Sequence, residues 1–328
     1  MRIFRSLAEV PADFGPSVVT VGNFDGVHCG HQSVIRQVVQ RARERNALAV
    51  LVTLQPHPAT VLRPHHPLRL ITTLDQKLQL LQATELDAVV LLPFSAEFAR
   101  TPATGFCTGI LRDALHAVEV HEGADFRFGA GGEADMQTLA EMGRAYGFST
   151  HIFEPLHLRG EIVSSSRIRT LVTEGNVSQA RHLLGRPFSV CSTPARGRGY
   201  GTKYAVPTVN LAPVDTLLPG NGVYITDMQV GQGTEALHFE GVTNVGNRPT
   251  FGEDSFAVET YLFGFYPFAL DETTPLRLTF LKRLREERKW PSPEALKAQI
   301  GVDVRRAERW FALRRALRTT GTHAAFAG

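Results

Sequence analysis

Residues 17–31 read Ser17-Val18-Val19-Thr20-Val21-Gly22-Asn23-Phe24-Asp25-Gly26-Val27-His28-Cys29-Gly30-His31. The first five form a short apolar run that stops at Gly22. The next ten are polar and rich in glycine, which suits a loop. Beyond them, Val34, Ile35, Val38 and Val39 recur at helical spacing, with arginines on the other face. Ala47–Leu54 (ALAVLVTL) is then apolar throughout, as expected of a strand buried on both faces. Strand, glycine loop, helix and buried strand make a β-α-β unit, and so predict a parallel sheet covered by helices.

The same alternation runs on through the first half. Residues 55–67 (QPHPATVLRPHHP) are rich in proline and histidine and are expected to be loop. Thr73 with Gln76 has the spacing of a capping box and opens a helix. Residues 87–94 predict another buried strand and residues 104–117 a helix. Residues 117–129 predict a strand entering a glycine-rich loop. Near Leu184-Gly185-Arg186-Pro187 the pattern changes. The later apolar runs, GVYITDMQV, ALHFEGVTNVG, FAVETYLFGF and LRLTFLKRL, are short and separated by turn residues, which predicts an antiparallel barrel or sandwich. A helical tail starts at Ser292. The expected organisation is an α/β domain over residues 1–185 and an antiparallel β domain with a terminal helix over residues 186–328. That agrees with about 100–200 residues per domain for a chain of 328.

Composition excludes several classes. With 43% hydrophobic residues and a net charge of +3, the chain is not a disordered one. Cys29, Cys107 and Cys191 are scattered and form no C-x-x-C pair, which argues against a disulfide framework or a cysteine zinc cluster. The N-terminal residues have no apolar core of a signal peptide. The longest apolar runs fall far short of the ~20 residues that span a bilayer. No run of like charges marks a polybasic arm, so neither nucleic acid nor membrane is an expected partner. A cytoplasmic enzyme acting on an anionic small molecule fits these limits. The oligomeric state is open.

His28 and His31 fall at a predicted helix N-terminus, where free N–H groups and the helix dipole attract anions. Gly30 lets a ligand approach the backbone. Half of a metal site and simple helix capping remain alternatives for these residues. A second junction, Ser164-Ser165-Ser166-Arg167-Ile168-Arg169, again places hydroxyls, amides and guanidinium forks in one turn.

With these motifs the chain resembles the bifunctional bacterial riboflavin kinase/FMN adenylyltransferase family. G-x-F-D-G-x-H-x-G-H is the family's first signature. Thr53–Pro58 is similar to its T-F-x-P-H-P, with Leu54 in place of Phe. Gly123–Gly129 matches G-x-D-F-R-F-G, and Ser164–Arg169 its last nucleotidyltransferase motif. The resemblance implies a Rossmann-like nucleotidyltransferase domain in which an FMN phosphate attacks the α-phosphorus of ATP, giving FAD and pyrophosphate. It implies that His28 and His31 grip the phosphates and that Ser164 and Arg167 close on the pyrophosphate. Gly22, Phe24, Asp25, Gly30 and His57 would line the nucleotide site, with Asp125 and Phe126 toward the flavin. After the last glycine the family carries a Lys or Arg, where this chain has Ala130-Gly131-Gly132-Glu133.

In the second half, Arg196–Lys203 (RGRGYGTK) is basic and glycine-rich, and Pro207-Thr208-Val209-Asn210 resembles the P-T-A-N of riboflavin kinases. The resemblance implies that Thr208 and Asn210 hold Mg²⁺ with ATP phosphate. It places Arg198, Gly201 and Lys203 on the ATP phosphates, Glu259 as catalytic base and Arg285 near a ligand. Family positions for Arg, Gly and an aromatic are Thr202, Ala205 and Val206 here. The implied activity is riboflavin to FMN and FMN to FAD, each with ATP and Mg²⁺. One alternative keeps only the adenylyltransferase, the barrel being a flavin-binding module. Another is a flavin sensor without ATP turnover.

Overall fold

The computed structural model describes residues 1–65, 68–195, 208–247, 256–264 and 270–324. Two compact units divide the chain, Met1–Arg167 and Ile168–Gly328.

The first unit is built on six strands: β1 (Arg2–Phe4), β2 (Ser17–Val21), β3 (Leu48–Gln55), β4 (Ala88–Pro93), β5 (Ala117–Gly123) and β6 (Ser149–Phe153). Their order is β1-β4-β3-β2-β5-β6, and every pairing is parallel. Alternate residues of one strand serve opposite layers. Val18 and Leu51 pack with α1 (Cys29–Glu44) and α3 (Leu74–Gln82). Val19 and Val52 pack on the other side with the helix α4, which opens at Ala103–Gly105 and continues as a π-helical stretch to Ala114, and with α5 (Met136–Tyr146). The chain order runs outward from β2 through β3 to β4, then returns to β5 on the other side of β2. The crevice between β2 and β5 is therefore the topological switch point, where open α/β sheets bind ligands.

Thr73 caps α3 with the complete capping box, Gln76 included, as its spacing predicts. The segment 55–67, expected as loop, instead contains a helical turn, α2 (Pro58–Leu62). Pro58 sits at the first helical position, where its missing N–H is no loss, and His57 caps the turn through Nδ1, which accepts from the Ala59 N–H at 3.1 Å. Composition alone also passed over β1 and β6, the latter because its residues are mostly exposed and lack an apolar run.

At the opposite end of α1 from the glycine loop, Glu119 of β5 is buried and accepts from Arg41 Nε at 2.9 Å, Arg45 Nε at 2.5 Å and His121 Nε2 at 2.6 Å. Burial alone would raise its pKa, but the Arg41, His121 and Arg45 contacts win and hold it at about 2. Three residues on, Glu122 is fully buried, and its pKa goes the other way. Burial raises it well above the carboxylate range, against the pull of the Val21 N–H donated at 2.5 Å.

The second unit is an antiparallel sheet of β9 (Phe188–Ser192), β10 (Thr208–Asn210), β11 (Gly222–Val230), β12 (Leu237–Asn247), β13 (Phe256–Leu262) and β14 (Leu276–Glu286), in the order β10-β13-β12-β11-β14-β9. The two edges meet: the Ala195 N–H donates to Asn210 O and the Ala212 N–H to Thr193 O, both at 2.8 Å, so the sheet curls round on itself. Its buried face carries a chain of hydroxyls, Thr226–Thr243 at 2.7 Å and Thr243–Thr260 at 2.9 Å. The helices α6 (Ser165–Thr173) and α7 (Val177–Leu184) precede β9, and α7 packs on β14 and β9. The compact units thus divide earlier than the change of composition near residue 185. The terminal helix α8 (Pro293–Ala324) is capped by Ser292, and its Ala307 and Phe311 pack against Ile225 and Leu281.

Candidate active sites

The loop between β2 and α1 leaves the switch point in a conformation that few sequences adopt. Phe24 and Val27 have φ of +47° and +38° without being glycine, and Gly26 has +84°. Such residues persist only where surroundings over-determine them, and they cluster at functional sites. The clamp is visible. The buried Asp25 carboxylate accepts from the Ile71 N–H at 2.9 and 3.0 Å and from the Thr72 N–H at 3.1 Å, while Gly26 N–H donates to Thr72 Oγ1 at 3.1 Å. Asp25, assigned to ligand contact by the family resemblance, is thus occupied in holding the loop to residues 71–72. A Cβ on Gly26 would meet Ile71 at 3.1 Å.

His28 is the N-cap of α1. Its Nδ1 accepts from the His31 N–H at 3.2 Å, so the ring proton resides on Nε2 when the imidazole is neutral. The rings of His28 and His31 stack at 3.6 Å, and Phe24 leans on His31 at 4.8 Å. A Cβ on Gly30 would lie 3.2 Å from the His28 ring and 3.2 Å from the Val163 carbonyl. That contact brings the serine motif against the start of α1. Ser165 Oγ donates to the Asp25 carbonyl at 2.9 Å, and Ser164 Oγ caps the following turn by accepting from Arg167 N–H at 3.2 Å. The guanidinium of Arg167 forks onto Glu161 at 2.9 and 3.3 Å. Glu161 belongs to a small hairpin of β7 (His157–Leu158) and β8 (Glu161–Ile162).

Asp125 is exposed after β5, and Phe126 is half-buried with its ring stacked on Phe128 at 5.5 Å. Glu133, where the family has a cation nearby, accepts from the Ala103 N–H at 2.9 Å and so serves α4 instead of a phosphate. His57 lines a small cavity of about 30 Å³ with Asn23, Asp25, Gln55, Leu70, Thr72, Leu74 and Lys77.

Lys77 was passed over by sequence reasoning. It is buried at 7% exposure, and its Nζ donates to the Asn23 carbonyl at 3.2 Å and to Thr53 Oγ1 at 3.3 Å. Burial lowers its pKa, partly offset by the Asp25 charge. A signal existed: Leu74, Lys77, Leu78 and Leu81 share the helical spacing of the buried face, so a lysine stands where a hydrophobe is expected.

In the second unit, the register sets Glu259 of β13 directly between Asn210 of β10 and Asn244 of β12. Val258 and Thr260 are buried, so by strand alternation Glu259 faces the other side of the sheet. Thr208 Oγ1 donates to Glu259 Oε1 at 2.8 Å. Thr208, Asn210 and Glu259 therefore lie together on two paired strands. Arg285 does not join them. Its Nε is 2.9 Å from the buried Asp303, its Nη1 donates to the Glu286 carbonyl at 3.1 Å, and it lies 5.4 Å from the Trp290 ring centroid. Arg198, Gly201 and Lys203, with Thr202, Ala205 and Val206, lie outside the described residues, as do Arg248–Gly252.

A Rossmann-like unit with two helix N-termini at its switch point, followed by a barrel carrying a Thr–Asn–Glu oxygen cluster, defines a two-domain nucleotide-using enzyme. Residues 10–167 match the FAD synthetase family and residues 184–311 the riboflavin kinase family. The bifunctional riboflavin kinase/FMN adenylyltransferase of Escherichia coli strain K12 is 30% identical over 314 residues, covering 95% of this chain and 98% of that one. The Pseudomonas fluorescens protein of the same description is 31% identical, covering 93% and 96%. A crystal structure from Streptococcus pneumoniae, described as a macrolide-efflux protein, superposes with a TM-score of 0.82 at 26% identity, covering 94% of this chain and 98% of that one. Among the described residues of the present chain, no helix is long and apolar enough to cross a membrane. The chain belongs to the bifunctional riboflavin kinase/FMN adenylyltransferase family.

Proposed function

We propose that the chain phosphorylates riboflavin to FMN in residues 186–328 and adenylylates FMN to FAD in residues 1–185, in the cytoplasm, with ATP and Mg²⁺ in both steps. The observation that carries this reading is the meeting of the glycine loop and the serine motif, through Ser165 Oγ and the Asp25 carbonyl at 2.9 Å, over the switch point of a parallel sheet.

Adenylyl transfer needs no covalent nucleophile on the protein. An oxygen of the FMN phosphate attacks the α-phosphorus and pyrophosphate leaves, so the protein's part is positioning and charge stabilisation. His28 is well placed for this. With Nδ1 committed to the helix cap, Nε2–H is its donor toward a phosphate oxygen. His31 is held by stacking between His28 and Phe24. Arg167 reaches pyrophosphate by exchanging its fork from Glu161 to phosphate, the same planar recognition.

In the barrel, Glu259 accepts the proton of the riboflavin 5′-hydroxyl as its oxygen attacks the γ-phosphorus, the β–γ bridging bond breaks and ADP leaves. Hydroxyl and amide oxygens from Thr208 and Asn210 are the hard donor type that suits Mg²⁺. Bound with the ATP phosphates, Mg²⁺ supplies charge neutralisation there. The test is chromatography of the flavins formed from riboflavin, MgATP and purified protein over time. FMN appearing first and FAD second is expected; FAD from FMN without FMN from riboflavin leaves the barrel as a binding module.

A further inference from the structure

We infer that Lys77 is a positioning residue for adenylyl transfer, an inference that rests on the reading of the first unit given above. Three elements meet at its ammonium: helix α3, which carries it, the loop after β2 through the Asn23 carbonyl, and strand β3 through Thr53. The hydrogen bonds form a connected chain. Lys77 Nζ donates to Thr53 Oγ1 at 3.3 Å, Thr53 Oγ1 donates to Asn23 O at 3.1 Å, and Lys77 Nζ donates to the same carbonyl at 3.2 Å. A carbonyl that accepts from both an ammonium and a hydroxyl already bonded to that ammonium is strongly polarised.

The consequence falls on the other end of the same peptide. The Phe24 N–H belongs to the Asn23–Phe24 amide and makes no hydrogen bond to any described residue. It sits in the left-handed stretch that leads to His28. Drawing electron density toward Asn23 O makes that N–H a stronger donor to an anion. It also fixes the plane of the peptide, and hence the direction of the donor.

Burial makes the lysine consequential. At 7% exposure its charge is poorly screened by water, and its balancing carboxylate, Asp25, is the one that clamps the loop. One ammonium and one carboxylate thus hold the two sides of the loop, one through Asn23 O and the other through residues 71–72. The adjoining cavity of about 30 Å³ has room for one water. The hydrogen bonds of Nζ run to the Asn23 carbonyl and to Thr53, so Lys77 acts through the loop.

The test compares Lys77→Met, which keeps length and loses charge, with Lys77→Arg, which keeps charge. FAD formation from FMN is measured as kcat and KM, with riboflavin phosphorylation by the same protein as an internal control. Lys77→Met is expected to lower kcat for FAD about 10- to 100-fold, as loss of an orienting partner typically does. KM for FMN and ATP should stay within about threefold, because the lost stabilisation is of developing charge. Lys77→Arg should recover most of the loss. Unchanged kcat in Lys77→Met, or equal losses in Met and Arg, overturns the inference. If Lys77→Met unfolds the unit, Thr53→Val replaces it as the test. It removes the hydroxyl link, leaves the ammonium, and should lower kcat about threefold or more; unchanged kcat overturns the inference. Wild-type protein that makes no FAD overturns the adenylyl-transfer reading and this inference with it. Wild type that makes FAD while Lys77→Met matches it overturns this inference alone.

Discussion

The two units build their proposed sites from opposite materials. The parallel unit uses backbone: a loop forced to positive φ at Phe24, Gly26 and Val27, and the amides at the start of α1. Its polar side chains, Asp25 and Lys77, act mainly on that backbone. The barrel uses side chains in register, with Asn210, Glu259 and Asn244 standing abreast on three neighbouring strands. A helix end presents donors wherever the chain makes one, whereas a strand row exists only if the register is right. The parallel site is therefore sensitive to loop shape, and the barrel site to individual side chains.

That contrast is tested most strongly at Glu259. Glu259→Gln keeps shape and the Thr208 contact while losing basicity, so riboflavin phosphorylation should fall by ~10²–10⁴. FAD formation from supplied FMN should be unchanged, as its nucleophile is already an anion. Full kinase activity in this variant places the base elsewhere. Next in size is His31→Ala. Loss of one preorganised donor should lower FAD formation ~10²–10³-fold while riboflavin phosphorylation continues. A variant that loses both activities equally would break the separation of the two sites. A smaller effect sharpens the backbone argument. Asp25→Asn keeps the size of the clamp and weakens its charge-assisted bonds to Ile71 and Thr72, so FAD formation should drop about tenfold with kinase activity intact. If Asp25→Asn is silent, the loop is held by something other than this carboxylate.

The same contrast explains what was legible beforehand. The switch from a short apolar run to a helix of period 3.6 across Gly22–His31 is local, so the loop, the cap at His28 and the parallel sheet follow from residue order. The row at Glu259 was legible only as a motif, because no residue on one strand announces which residue of its neighbour stands opposite. Lys77 illustrates a different limit. Its spacing shows that it faces the core, but its partners come from residues 23 and 53, which periodicity does not connect. For Asp25 and Arg285 the sequence does not reveal their partners Ile71, Thr72 and Asp303. Tertiary contact decides such allegiances. The turn at Pro58–Leu62 was hidden because proline reads as a breaker everywhere except the first helical position.

The smallest predicted effect concerns stability within the first unit. Two buried carboxyls on a single strand of the parallel sheet shift in opposite directions. Glu119 has its folded pKa held at about 2, below the unfolded value of 4.5. Its contribution is therefore present above pH 4.5 and is lost as pH falls toward 2. Glu122 has its folded pKa raised above 4.5. It keeps a proton that the unfolded chain releases, so its contribution is present below pH 4.5 and declines as pH rises. Glu119→Gln should then lower the melting temperature of the first unit at pH 7, with the difference from wild type closing in acid. Glu122→Gln keeps a neutral acceptor for the Val21 N–H and should raise that melting temperature at pH 8, with the difference closing near pH 4.5. Arg41 and Arg45 are half-exposed, so solvent screening limits the Glu119 effect to about 1 kcal/mol, or roughly 2–4 °C. Calorimetry of both variants across pH reads the two transitions. A Glu122→Gln protein less stable than wild type at pH 8 would mean that the buried carboxyl is ionised and holds an unrecognised partner.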